Sequence, residues 1–309
     1  MTETSSSPLE SGLRMPQRHI MVAAATGRQG GAIARGLLRD GHVVRGLTRN
    51  PGSPAARALD EIGASVVAGD LNDLDSLAAA VKGASTVVVV TTPYEEGADA
   101  ETRHGLALVD AAMSVGIEHF VFNSVAGADV ETGIAHFDSK GIVERYLETT
   151  GMPYTIVAPC AFVDDWLSDP DSLDDLRGGH LSMPMTPTRA LQQTSIPEVA
   201  AVSVLVAEQR EPFLGQRIEV ASDSVSGLQM AEIISRASKR SIEYRELSAT
   251  QAQEMMGDEL AAMFAWFEGT GFDVDAEALH RRFPTVAWTT FEQWALAQDW
   301  SVLENGGGQ

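Results

Sequence analysis

Two short stretches hold residue types that could do chemistry. In HFDSK, His136 and Lys140 stand four residues apart, which on a helix puts both side chains on one face. An imidazole can donate a proton near neutral pH, although a neighbouring ammonium lowers its pKa and thins the protonated fraction. The other reading of His136 is a histidine at a helix start that only packs or caps. In VAAATGRQGG, from Val22 to Gly31, glycines carry an apolar run into the helix-like AIARGLLRDG. A strand that turns sharply into a helix presents free backbone N–H groups and a partial positive charge, the ingredients of a pyrophosphate cradle. Gly27 and Gly30 mark that turn, with Thr26, Arg28 and Gln29 around them, while Ala24 takes the first place of a GxxGxxG pattern and is expected to crowd the backbone there.

The segments that follow give the cradle company. GLTRNP ends the second β-branched run and places Arg49 where a dinucleotide fold meets the adenosine ribose. An acidic residue at that point would bind the free 2′-hydroxyl of NAD; an arginine favours the 2′-phosphate, so the expected cofactor is NADP(H). Arg28 is either a second phosphate contact or a solvated surface arginine. In AGDLND, Asp70 and Leu71 are placed to flank the adenine, with a helix cap before LDSLAAAV as the alternative for Asp70.

Positioning such groups takes alternating strands and helices. HIMVAAA, HVVRGLT, SVVAGD, STVVVVTT, HFVFNSV and YTIVAPC read as strands, separated by Ala- and Leu-rich stretches of helix length that often end in glycine. That alternation predicts an α/β, Rossmann-type doubly wound parallel sheet with a smaller, mostly helical C-terminal domain. The expected division is a flexible tail at 1–17, a cofactor domain at 18–160 and 190–221, a small substrate or partner domain at 161–189 and 222–303, and a second tail at 304–309. The acidic run DDWLSDPDSLDD reads as a solvated face. Trp266, Phe267, Trp288, Phe291 and Trp294 read as the packing of the small domain.

Composition narrows the function classes. With 22 basic and 43 acidic residues the formal charge is −21, a field that disfavours direct contact with nucleic acid or anionic membranes. The single cysteine, Cys160, excludes an internal disulfide and reads as a small buried residue; no Cys/His cluster has metal-site spacing, so no metal is expected. The polar N-terminus lacks a secretory pattern and no apolar run approaches a membrane span, which predicts a cytoplasmic protein.

Taken in order, AATGRQGG, GLTRNP, GDLND, VVVVTTP, GIEHFVFNSVAG, HFDSKGIVERYLETTGMPYTIVAP and MFAWFEGTGFDVDAEALHRRFPTVAWTTFEQW, spread over about residues 19 to 300, resemble an NmrA-like member of the atypical short-chain dehydrogenase/reductase superfamily. The resemblance implies that Thr91, Thr92 and Pro93 line the cofactor after the fourth strand and that Asn123 and Ser124 follow the fifth. Ala158-Pro159-Cys160 stands where the family often reads Arg-Pro-Gly, which leaves Pro159 as the matching cofactor-side residue. The resemblance also places Phe162 and Trp166 at the mouth of the nicotinamide pocket, with core packing after the strand as the other reading. Lys140 matches the lysine that holds the nicotinamide ribose, and His136 occupies the place of the superfamily's catalytic tyrosine.

Two functions follow. The first is an NADPH-dependent oxidoreductase acting on a small carbonyl, quinone, imine or enone, its proton coming from His136, Ser124 or water. The second is a non-catalytic, NADP(H)-binding redox-sensing regulator that works through a protein partner. Oligomeric state, including a homodimer, is left open by the sequence.

Overall fold

The computed structural model describes residues 16–304. The expected tails at 1–17 and 304–309 lie outside the described residues except for residues 16, 17 and 304. The six apolar runs form β1 (His19–Val22), β2 (Val43–Thr48), β3 (Ser65–Ala68), β4 (Thr86–Val90), β5 (His119–Asn123) and β6 (Tyr154–Pro159). Six further strands follow: β7 (Ala161–Phe162), β8 (His180–Met183), β9 (Ala190–Thr194), β10 (Gln216–Val220), β11 (Asp223–Ser226) and β12 (Glu243–Glu246). The helices are α1 (Arg28–Arg39), α2 (Pro54–Glu61), α3 (Leu74–Val81), α4 (Ala98–Val115), α5 (Ala135–Thr149), α6 (Asp165–Ser168), α7 (Pro170–Arg177), α8 (Ile196–Glu208), α9 (Gly227–Ser238), α10 (Ala249–Gly269), α11 (Ala276–Arg282) and α12 (Phe291–Ala297).

The large sheet has seven strands in the order β10-β6-β5-β4-β1-β2-β3, all paired in parallel. Its central strands β1, β4, β5 and β6 are mostly apolar and buried because both faces are covered. Ile20 and Val22 of β1, with Val88, Val121 and Val157, face α1, α2 and α8 through Ile33, Leu37, Leu59 and Val199. The alternate residues, Met21, Val87, Val89, Phe120, Phe122 and Ile156, face α3, α4 and α5 through Leu77, Leu108, Val143 and Leu147. Each aliphatic side chain fully buried in this way contributes roughly 1.5–3 kcal/mol. The strand order reverses between β1 and β4, and ligands of such sheets bind in the crevice that opens there.

The rest of the chain packs over the carboxyl ends of the strands. Its core joins Leu176, Leu181, Met230, Ile234, Phe267, Phe291 and Trp294. It is less purely helical than expected, since β11-β9-β7 and β12-β8 form two small sheets within it. The chain rejoins the large sheet through α8 and β10, whereas β9 pairs with β7 and β11. Trp288 leaves the aromatic set it was read with: it stacks on His280 at 4.4 Å and packs against the core of the large sheet, beside the stacked Phe213 and Phe283. The acidic run is also more than a solvated face. Asp169 caps α7, Asp164 accepts from the Ile196 N–H at 2.8 Å and Asp175 accepts from the Ser182 N–H at 2.6 Å, so its carboxylates close helix starts and cross-link the chain.

One polar residue in the sheet carries a pH signature. His119 opens β5 fully buried, its Nε2 2.8 Å from Thr155 Oγ1, and Thr155 in turn donates to the Phe213 carbonyl. Burial, with Arg210 and Arg18 adding to it, lowers the imidazole pKa from 6.5 to about 4. Between those values the unfolded chain binds a proton that the folded chain refuses, so stability falls as pH drops from about 6.5 to about 4, by about 3 kcal/mol at most. Replacing His119 with Gln, which keeps a donor for Thr155, is expected to flatten that slope in urea-unfolding free energies measured between neutral pH and the acid limit of folding. An unchanged slope would assign the loss to other groups.

Candidate functional site

The turn from β1 to α1 is built on one carbonyl. The Gly27 N–H donates to Ala24 O at 2.9 Å, and a Cβ on Gly30 would lie 2.3 Å from that same oxygen, so any side chain at position 30 would push α1 off the turn. Ala24 itself has φ 52°, a left-handed conformation that costs a non-glycine residue about 1 kcal/mol. The departure from the glycine pattern is therefore felt in the backbone of residue 24. Helix α1 follows Gly27 without a side-chain cap, as α4 and α5 also begin without one, whereas α2, α3 and α8 are capped by Ser53, Asp73 and Ser195. Its first N–H groups are left facing the turn, as an anion site requires.

Side chains of the turn reach three parts of the molecule. Thr26 Oγ1 lies 3.4 Å from Thr48 Oγ1 at the end of β2. Arg28 pairs with Asp165 of α6 at 3.0 Å and so spans from the cradle to the small region. Gln29 donates to Asn123 Oδ1 at 2.9 Å. Asn123 is buried and bonded at both ends of its amide, since Ser203 Oγ donates to the same oxygen at 2.8 Å and its own nitrogen donates to the Val89 carbonyl. It ties α1, α8 and β4 to the end of β5.

Arg49 lies just past β2, and its guanidinium is held by two carboxylates. It pairs with Glu95 and stands 3.8 Å from Glu96, both on the loop after β4. Because β1 lies between β4 and β2, this contact closes over the carboxyl end of β1. Glu96 also lies 4.0 Å from His104 Nε2, which bonds Asn72 at 3.2 Å. On the same loop Thr92 and Tyr94 are exposed, and the Pro93 carbonyl accepts from the Gly97 N–H at 2.7 Å. Asp70 is exposed and accepts from the Asn72 N–H at 2.9 Å, while the cap of α3 is Asp73; Leu71 packs beside the sheet core.

Lys140 is buried at the root of that loop. Its Nζ pairs with Glu101 of α4, which is wholly shielded from solvent, and donates to Thr91 Oγ1 and the Thr91 carbonyl at 3.1 and 3.2 Å. Thr91 and Ser139 each donate to Glu101, at 2.9 and 2.6 Å. His136, one turn earlier on α5, is turned to a different partner, with Nδ1 2.7 Å from Glu259 of α10, whose carboxylate also accepts the His136 N–H. The two residues share a helix but serve separate ion pairs. Ser124 donates to buried Glu144, which accepts from Arg217 at 2.9 Å; burial pushes that carboxyl above its ordinary range while Arg217 and Ser124 pull it back. The Pro159 carbonyl accepts from the Ala126 N–H, Phe162 packs against the large sheet's core, and Trp166 donates to Gln193 at 2.8 Å. Cys160 is buried beside Ala126 and Ala221, and burial pushes its thiol well above the usual range.

Glu95, Glu96, Glu101, Glu144 and Glu259 are the carboxylate partners of the candidate residues that sequence reasoning missed. For Glu101 there was a signal, because it shares the helix stripe of Gly105 and Leu108, both buried; an acidic residue on a buried stripe needs a counter-charge. Among the described residues no group of three or more His, Cys, Asp or Glu is arranged to hold a metal ion, and no helix is long and apolar enough to cross a membrane.

The profile of the NmrA-like family matches residues 16–295. The chain belongs to the NmrA-like family. An NmrA-like family domain-containing protein of Dictyostelium discoideum is 24% identical over 273 residues, covering 83% of this chain and 90% of its own length. The NAD(P)H azoreductase of Xenophilus azovorans is 26% identical over 243 residues, or 77% and 80% of the two chains. Several other curated relatives match over about half of their length. NmrA, a negative transcriptional regulator solved in complex with NADP, superposes with a TM-score of 0.73 at 20% identity, over 91% of this chain and 95% of that one. The same fold is thus found in a regulator solved with NADP, and an NAD(P)H azoreductase is among the relatives in sequence.

Removing Lys140 alone leaves the Glu101 carboxylate buried without a partner. Lys140→Met is expected to lower the unfolding free energy by about 3–5 kcal/mol, and the double change Lys140→Met with Glu101→Leu to recover most of it. Denaturant unfolding of the three proteins checks this, and equal losses in the single and double variants would mean that the pair's charges are not what holds α4 to α5.

Proposed function

We propose that this NmrA-like protein binds NADP(H) and is an oxidoreductase that reduces a small acceptor of the carbonyl, quinone, imine or enone type, with quinone-like acceptors favoured. The observation that carries the reading is the uncapped, glycine-lined start of α1 with a guanidinium beyond the neighbouring strand. Thr26, Gly27, Arg28, Gln29 and Gly30 would hold the pyrophosphate, Arg49 the 2′-phosphate, and Asp70 and Leu71 the adenine. Thr91, Thr92, Pro93, Asn123, Lys140, Pro159 and Phe162 would line the remainder of the groove. When bound, the nicotinamide supplies the hydride.

The acceptor preference comes from the proton donors. Lys140 is committed to Glu101 and Thr91 and Ser124 to Glu144, while His136 gives its Nδ1 to Glu259 and is turned with it towards α10. A reduction that needs a general acid in the transition state would forgo roughly 10²-fold or more without one. Acceptors whose developing oxyanion is well delocalised depend on it least. The same commitment favours a second reading, an NADP(H)-sensing regulator that signals through a protein partner without turnover.

Calorimetric titration of the full chain with NADPH and NADH, followed by NADPH consumption with a panel of quinones, aldehydes, enones and imines, separates the two. Binding with turnover, fastest on quinones, is expected for the oxidoreductase; binding with no turnover on any acceptor turns the reading to the sensor; no binding overturns the cofactor assignment. Replacing Arg49 with Asp is expected to weaken NADPH at least about tenfold more than NADH, as loss of a charge-assisted phosphate contact should. Equal losses would remove Arg49 from the 2′-phosphate site.

A further inference from the structure

Arg49 stands at the position that selects the dinucleotide, and its charge is already answered. Glu95 pairs with it and Glu96 lies 3.8 Å away, so two carboxylates face one guanidinium. Among the described residues, the only other ion-pair partner of either carboxylate is His104, 4.0 Å from Glu96. The loop that carries them cannot retreat freely. Its root, Thr91, is held by Lys140 and Glu101, and its far end closes through the bond from Gly97 to Pro93.

We infer that Glu95 and Glu96 are specificity-determining residues for the adenosine end of the dinucleotide, holding the preference for NADP(H) over NAD(H) well below what Arg49 alone would give. The inference rests on the cofactor reading above and deepens it. A 2′-phosphate brings up to two negative charges to a guanidinium that Glu95 and Glu96 already approach, and must displace those carboxylates or lie against them. The pairs are displaceable, since Arg49, Glu95 and Glu96 are 58%, 56% and 43% exposed and exposed ion pairs are weak. What remains after displacement is repulsion, because the tethered loop keeps both carboxylates within reach of the phosphate. A free 2′-hydroxyl meets no such opposition: it is uncharged and can donate to a carboxylate. Sequence position marks Arg49 for the phosphate; the fold adds a counterweight from the far side of β1.

The test is calorimetric titration of the full chain and of E95Q/E96Q with NADPH, NADH and the fragment 2′,5′-ADP. The double variant is expected to bind NADPH and 2′,5′-ADP at least fivefold more tightly than the parent, with NADH changed less than twofold. In an Arg49→Met background the same two changes are expected to have less than a twofold effect on any of the three. Both substitutions lie on an exposed loop, and matching thermal unfolding of parent and variant verifies the fold. If the parent binds dinucleotide and E95Q/E96Q binds NADPH equally or more weakly, or gains equally for NADPH and NADH, the selection role is overturned while the cofactor reading stands. If neither protein binds NADPH or NADH, both fall together.

Discussion

A charge buried between two helices has to be matched where it lies, and in this molecule that requirement falls on Lys140 and Glu101. The carboxylate is completely shielded, so its partners are not optional: the ammonium of α5, the hydroxyl of Ser139 and the hydroxyl of Thr91 together satisfy it. The arrangement fixes three things at once, namely the spacing of α4 and α5, the depth at which Lys140 sits, and the point where the chain leaves β4. Everything beyond Thr91 on that loop inherits its place from this pair.

Across the crevice at the strand-order reversal the contacts are of another kind. Arg28 with Asp165, and Arg49 with Glu95 and Glu96, join segments that the fold brings together from far apart in the chain, and their side chains are exposed. Exposed pairs contribute little stability. They do define which charges an incoming ligand must answer, and in a chain of net charge −21 those answers weigh on anionic ligands above all. A rigid buried pair at the root and yielding pairs at the rim give the crevice a fixed floor and an adjustable edge.

Much of this was legible in the residues. The β-branched runs specify strands because a sheet covered on both faces tolerates apolar side chains on either side, and Gly30 marks the position where α1 comes closest to the turn behind it. What could not be read was pairing at a distance. Nothing near Arg49 in sequence announces Glu95, and Glu259 lies far along the chain from His136, on a helix whose register is broken at Gly257 by φ 78°. The small sheets escaped for a different reason. Strands such as ALQQT and the two-residue AF are too short or too polar to show a period, and only their partners define them. Asp70 was offered as a cap for the helix that follows it, but the backbone enters that helix three residues later and the cap is Asp73.

Cys160 has a bearing on how this protein ages. It is the chain's only thiol, and it lies with about 2% exposure where the end of β6 meets the small region, its N–H bonded to the Val220 carbonyl. Buried and held in the thiol form, it resists alkylation and oxidation while the junction is closed. Its modification therefore follows the frequency with which that seam opens, so damage accumulates as a record of breathing at the boundary between the two halves of the fold.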